Sequence, residues 1–391
     1  MRGTTASTPL VRLRRTVATL VLCGCPTALP PLTAAPPTPP PAAAIPEDLV
    51  IFQRDLSPRV LAARPADPKH WRQIEPAIHQ LALAHADRLA ALPENARIAT
   101  LAKLADFVDA RRAATADLPV LAAGRHVIGL LDPARGLDPQ EITAIASAYG
   151  ATATVFKQRD ATGESITDVA DAFLAAVRAA TPAPAGTTIV VLGHGLPTEI
   201  QSYSIRFERL AAAFLDAFDT AARGDTAARA DTAAIDLGHV VLVCDDCFSA
   251  DFLVNLLDHL TEECRRRGRR LASLPVCIAG TNHGRYGRAD VGAAFVPHFW
   301  RDVIELYYVR QPHPDAVTLA GFFDAVDGMM YGYGRAPIFT DGRITGWRLV
   351  EPDLVQDPVV FVPLADDDLA ALRAILDLPA DAPLPRWLDV G

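Results

Sequence analysis

Two short stretches, about fifty residues apart, carry the reactive side chains of this chain. One runs Thr187-Thr-Ile-Val-Val-Leu-Gly-His194-Gly195, and the other runs His239-Val-Val-Leu-Val-Cys-Asp245-Asp246-Cys247-Phe248-Ser249. A thiol and an imidazole can form a dyad for nucleophilic catalysis at an acyl carbon. The thiolate of Cys247 would attack, and His194 would take up the thiol proton or deliver a proton to the leaving amine.

Such chemistry requires both groups at one place, and the flanking residues indicate how. Ile189 to Leu192 and Val240 to Val243 are continuous apolar runs rather than alternating ones. That pattern suits central strands of a parallel sheet covered on both faces. Ligands bind such sheets outside the carboxyl ends of the strands, which is where the two runs deliver His194-Gly195 and Asp245-Asp246-Cys247. The helix expected over 250–266, with Phe252, Leu253, Leu256, Leu257 and Leu260 as its apolar stripe, would place its N-terminal dipole beside Cys247 and favour the thiolate.

Alternating elements fill the rest of the core. Strands are expected at 126–131, 152–157, 187–193, 240–244 and 274–279, with helices at 139–149, 166–180 and 205–222. Asp138 would cap the first of these helices, and Ser165 with Asp168 would form a capping box for the second. Further helices are expected at 293–309 and 314–331. Upstream, Ile78, Leu81, Leu83, Leu89 and Leu92, then Ile98, Leu101, Leu104 and Phe107, are spaced for buried helix faces. Pro93 and Asn95 mark the break between those helices, and the region reads as a helical layer packed on the core. The stretch 347–364 and the helix 365–376 read as an added strand pair and helix.

An apolar strand ending in His-Gly, followed by an apolar strand ending in Asp-x-Cys-x-Ser, resembles the caspase-like cysteine peptidases: caspases, metacaspases, legumain, clostripain and gingipain. The resemblance spans roughly residues 125–341. It implies an α/β fold, a three-layer α/β/α sandwich with a mostly parallel central sheet, here with an added N-terminal helical region. It implies a Cys247/His194 dyad whose members approach the scissile bond from opposite sides, with the backbone N–H groups of Gly195 and Cys247 holding the oxyanion. Metacaspases carry an Asp two residues before the nucleophile that helps to bind a basic P1 side chain, and Asp245 stands there. Asp132, at the end of the first strand, is at a second position the family uses in the primary pocket. Two carboxylates facing a guanidinium favour cleavage after Arg or Lys, whereas Arg135 would suit an acidic P1, as in caspases. His283 and Tyr286 would wall the substrate pocket, or else be simple loop residues. Two departures accompany the resemblance: Ala250 replaces the usual small Gly after Ser249, and Arg335-Ala336-Pro337 stands where the family often has Gln-x-Pro.

Other readings of the same residues exist. Cys247 as an inert thiol would make the chain a non-catalytic binding or scaffold module. Cys244-x-x-Cys247 matches a redox motif, but Cys244 still lies in the strand and its thiol should face the packing. A zinc site using Cys264 would draw on a residue four turns down the helix. An α/β-hydrolase is disfavoured because no G-x-S-x-G is present. The dyad requires no cofactor and no metal; His79 and His85, six apart, do not stack on one helix face. His239 begins its strand far from the catalytic edge and reads as structural. Arg265, Arg266, Arg267, Arg269 and Arg270 suit the C-terminal dipole of their helix, with an anion site as the alternative.

The chain has 391 residues, half of them apolar, 32 prolines and a net charge of −9. Residues 1–25 hold four Arg and no acid, so the remainder carries −13, a poor composition for nucleic-acid binding. The partners expected instead are a peptide or protein substrate and a membrane. Arg12, Arg14 and Arg15 precede a short apolar segment ending Leu22-Cys23-Gly24-Cys25, which resembles a bacterial lipobox. Cys25 would then be lipidated, anchoring the protein on the periplasmic side of the cell envelope. Ordinary cleavage after a later Ala would give a soluble secreted or periplasmic form. The expected organisation is a signal peptide over 1–25, a Pro/Ala-rich extended linker over 26–46, a helical region over 47–120, the peptidase domain over 121–345 and its extension over 346–391.

Overall fold

The structure, a computed structural model, describes residues 68–132, 139–158, 165–224, 234–280, 315–320, 335–340, 343–349 and 359–390. Cys25, Arg135, Asp138, His283, Tyr286, the leader, the linker and the helix expected at 293–309 lie outside them. The chain divides into Met1–Ile45 and Pro46–Gly391, and every described residue belongs to the second unit.

The centre of that unit is a sheet of seven strands. In spatial order these are β16 (Trp387–Asp389), β15 (Val359–Pro363), β11 (Val276–Ala279), β9 (Val240–Asp245), β4 (Thr187–Leu192), β2 (His126–Leu131) and β3 (Thr152–Lys157). The run from β11 to β3 is parallel, while β15 and β16 pair antiparallel. The uninterrupted apolar runs of β4 and β9 are buried throughout, as expected of strands covered on both sides.

Successive strand residues point to opposite faces and enter two separate cores. Val127, Val190, Leu192, Val241, Val243, Val276 and Ile278 join one; Ile128, Ile189, Val191, Leu242, Cys244 and Cys277 join the other. The second core takes in α5 (Ile166–Ala180), α6 (Phe207–Gly224) and α7 (Ser249–Arg266), the crossovers from β3 to β4, β4 to β9 and β9 to β11. The crossover from β2 to β3 runs the other way along the sheet, so a right-handed connection places its helix, α4 (Pro139–Ala148), on the opposite face. One helix cannot cover that face. The remainder is filled by α1 (Pro68–Ala84), α3 (Glu94–Ala116) and α8 (Asp366–Leu376), through residues such as Ile78, Leu81, Leu101, Leu104 and Leu372. Helices on both faces make this a three-layer α/β/α architecture.

Several local expectations hold. The capping box of α5 is complete: the Asp168 N–H donates to Ser165 Oγ at 3.1 Å, and the Ser165 N–H donates to Asp168 Oδ2 at 3.3 Å. Three others need correction. The upstream helices break at His85 as well as near Pro93, leaving a short α2 (Ala86–Ala90) between them. Leu83 is 44% exposed, because it lies off the buried stripe of Ile74, Ile78 and Leu81. Ala316–Thr318, expected inside a helix, forms strand β12, antiparallel to β1 (Pro119–Ala122), with Val317 buried between layers. β-Branched Val and Thr fit that strand.

At the amino edge of the sheet, Arg125 is 1% exposed. Its Nε donates to Thr188 Oγ1 at 2.7 Å, and its Nη2 donates to the carbonyls of Thr187 at 3.0 Å and His239 at 2.9 Å. Burial pushes its pKa down to about 10, and these acceptors offset the desolvation. Strands β2, β4 and β9 are thereby tied together at the end away from the reactive residues. His239 is structural as expected, with Nε2 2.6 Å from the Thr181 carbonyl oxygen. At one lateral edge, Gln80 of α1 completes the ladder of β16. Its side-chain amide donates to the Trp387 carbonyl at 3.3 Å and accepts from the Asp389 N–H at 3.1 Å, which leaves fewer open backbone groups on that strand.

Candidate active site

The sheet changes direction between β2 and β4, since β2 leads outward to β3 whereas β4 leads inward to β9. A crevice outside the carboxyl ends is the usual ligand site at such a point. The residues expected to do chemistry emerge around it. Asp132 follows β2, Gly193 and His194 follow β4, and Asp245, Asp246 and Cys247 follow from β9. Strands β4 and β9 are hydrogen-bonded neighbours with Leu192 opposite Asp245, so His194 and Cys247 each lie two residues beyond one paired position.

The turn after β9 is tight. Phe248 adopts φ 58° and ψ 27°, a left-handed conformation, before α7 begins at Ser249. For a bulky side chain that backbone costs about 1–2 kcal/mol, and such strain concentrates at functional sites. It reverses the chain at once after Cys247 and sets the sulfur at the strand–helix junction. Cys247 is partly exposed and His194 is exposed, whereas Cys244, Cys264 and Cys277 are buried. Burial raises the pKa values of these three thiols, that of Cys264 to about 11. The side chain of Cys244 faces the core, as expected, which separates its role from that of Cys247.

Gly195 is where the two reactive segments meet. A Cβ placed on it would lie 2.5 Å from the Cys247 carbonyl oxygen and 2.5 Å from Asp246 Cγ. The His-Gly pattern therefore has a steric reason: the backbone carrying His194 passes so close to the backbone carrying Cys247 that no side chain fits. Gly195 and Leu196 form β5, which pairs with β6 (Glu199–Ile200), and β6 pairs with β7 (Ile205–Arg206). Asn255 of α7 donates from Nδ2 to the Pro197 carbonyl at 2.8 Å, holding this small sheet against the helix that follows the thiol.

The carboxylates are nearly enclosed: Asp132 and Asp245 are each 4% exposed and Asp246 is 2% exposed. Ser202 Oγ donates to Asp132 Oδ2. Asp245 packs against the end of β11, where a Cβ on Gly280 would fall 2.3 Å from Asp245 Oδ1. Asp246, expected at this edge but with no role assigned by the sequence, is the carboxylate lying against Gly195. Neither Ser202 nor Phe248 carries a local signal in the sequence. Ser202 sits in an unremarkable polar run, Gln201-Ser-Tyr-Ser204, and no propensity marks Phe248 for positive φ.

The arginines at the end of α7 are engaged by carboxylates. Arg265 pairs with Glu262, Arg266 with Glu263, and Arg267 with Glu263, Asp216 and Asp219, which it shares with Arg269. Hydrogen bonds from Arg266 and Arg267 hold the Glu263 carboxyl down at about 2. His79 pairs with Glu75 at 3.7 Å. Among the described residues, no group of three or more His, Cys, Asp or Glu is placed to hold a metal, and no helix is long and apolar enough to cross a membrane.

No protein-family model matches the chain, and neither a curated protein nor a solved structure matches it.

Proposed function

We propose that the protein is a cysteine endopeptidase of the caspase-like type, using Cys247 as nucleophile and His194 as proton carrier. One observation carries the reading: a partly exposed thiol and an exposed imidazole leave adjacent parallel strands at the same edge, two residues past the paired Leu192 and Asp245. The contact at Gly195 supports it further, since it brings the two backbones together at that edge.

In this reading the thiolate of Cys247 attacks the scissile carbonyl carbon and a C–S bond forms. The carbonyl oxygen takes the negative charge and is held by the N–H groups of Gly195 and Cys247. As the C–N bond breaks, His194 gives a proton to the departing amine. Water, deprotonated by His194, then attacks the thioester; the C–S bond breaks, the new carboxylic acid leaves and the thiol is restored. Atoms and charge balance without any added group.

The P1 side chain would be basic. Asp132 and Asp245 follow or end strands on either side of β4, so their backbones are separated by two strand spacings, roughly 10 Å. By strand alternation the two side chains lie toward opposite faces of the sheet, so the basic preference rests on Asp245, two residues before the thiol, with Asp132 adding a second carboxylate at the same edge. By its leader, the mature protein would be tethered to the envelope through Cys25. Purified protein tested on a fluorogenic peptide library is expected to cleave after Arg and Lys, with kcat/KM about 10²-fold above Asp at P1, as expected when a buried charge must find its partner. Preferential cleavage after Asp would overturn the P1 assignment. Absence of hydrolysis across the whole library would point to a binding module instead.

A further inference from the structure

We propose that Ser202, oriented by Asp132, is a positioning residue that fixes the backbone of His194 and through it the direction of the imidazole. The His194 N–H donates to Ser202 Oγ at 2.9 Å, and the Ser202 N–H donates to the His194 carbonyl at 3.2 Å. One residue therefore holds both backbone polar groups of the proposed general acid–base, leaving its peptide planes little freedom on either side.

The direction of the hydroxyl proton follows from chemistry. A carboxylate only accepts hydrogen bonds, so the Ser202 hydroxyl must donate to Asp132 Oδ2. Its lone pairs then face the His194 N–H. The result is a directed chain, His194 N–H to Ser202 to Asp132, in which a nearly buried charge polarises the hydroxyl. Asp132 thereby gains a task separate from any contact with a P1 cation.

Ser202 is itself on a rigid mount. It lies in the 3₁₀ turn Gln201–Tyr203 between β6 and β7. The neighbouring Tyr203 is buried, its hydroxyl donates to the Leu131 carbonyl at the end of β2, and it accepts from the Gln158 N–H at 3.2 Å just after β3. Space is also restricted on the strand side, where a Cβ on Gly193 would come within 3.0 Å of Ser202 Oγ. The frame of β2, β3 and β4 is thus transmitted through Tyr203 and Ser202 to His194. An exposed imidazole has little packing of its own to hold it, so a clamp on its backbone is the means of placing it.

The catalytic consequence rests on the peptidase reading, whereas the clamp can be measured without activity. The experiment uses the full chain with Ser202→Ala and Ser202→Thr, each checked for folding by thermal melt. In Ser202→Ala, amide hydrogen exchange at His194 is expected to rise about tenfold, the loss of one ordinary hydrogen bond. With an Arg-P1 peptide, kcat should fall about 10²-fold while KM stays within about twofold, the pattern of a misplaced group rather than lost binding. Ser202→Thr, which keeps the hydroxyl, should restore both readouts. Should Ser202→Ala fail to fold, Asp132→Asn is read by exchange alone, and faster exchange at His194 is again expected. Unchanged exchange at His194 in the folded variant, or kcat and KM shifting together without rescue by Thr, would overturn the proposal. Failure of the wild type to cleave any peptide would sink the peptidase reading, and the exchange comparison would still decide the clamp.

Discussion

Replacing Cys247 with Ala is expected to cut peptide hydrolysis to the small residue left by binding alone, and replacing His194 with Ala to lower kcat by about 10²–10⁴-fold, the usual contribution of a positioned acid–base group. The double variant is expected to be no slower than Cys247→Ala, because residues that act as one unit lose their function together. Neither change should affect stability much. His194 is exposed and Cys247 partly so, and substitutions at such positions generally stay within about 0.5 kcal/mol. Kinetics on the two single variants and the double variant, with melting temperatures measured alongside, check this. Independent, multiplicative losses would mean that the two residues serve different steps and do not form a dyad.

Gly195→Ala is the second large effect. The added methyl would lie 2.5 Å from the Cys247 carbonyl oxygen and 2.6 Å from Asp246 Oδ2. One obstacle is backbone, so relief cannot come from side-chain rotation alone. The segments bearing His194 and Cys247 must separate, and the donors proposed for the oxyanion move with them. Loss of such a donor costs about 10²–10³ in kcat, and overpacking of this kind destabilises by about 1–3 kcal/mol. Steady-state kinetics and a denaturant melt on this variant give both values. Activity within threefold of wild type would place the oxyanion site elsewhere.

The stretches most legible in the sequence were those whose burial is decided by the chain's own pattern. Thr187–Leu192 and Val240–Asp245 are apolar or β-branched almost throughout, and short β-branched runs of that kind suit strands covered on both faces. Their order then fixed which edge His194 and Cys247 would reach. The amphipathic stripes of α5 and α7 were equally plain, because their partners are the same strands. What stayed hidden depends on contacts distant in the chain. Nothing local tells that Gln80 will meet the backbone of β16 some three hundred residues later. The clamp on His194 joins Asp132 and Ser202, 70 residues apart, through a serine no different in its neighbourhood from Ser204. Ala316–Thr318 reads as helix only when grouped with the residues that follow it; its own Val and Thr favour a strand, and pairing with β1 sets it as one.

The most direct measurement is covalent trapping. The full chain is treated with a peptidyl chloromethyl ketone bearing Arg at P1, whose carbon forms a bond to sulfur as chloride leaves, and the adduct is located by peptide mapping. Complete modification of Cys247 is predicted, with Cys244, Cys264 and Cys277 untouched in the folded protein and trapping strongly slowed in His194→Ala. A folded protein in which Cys247 remains unmodified, or reacts at the same rate without His194, would contradict the account.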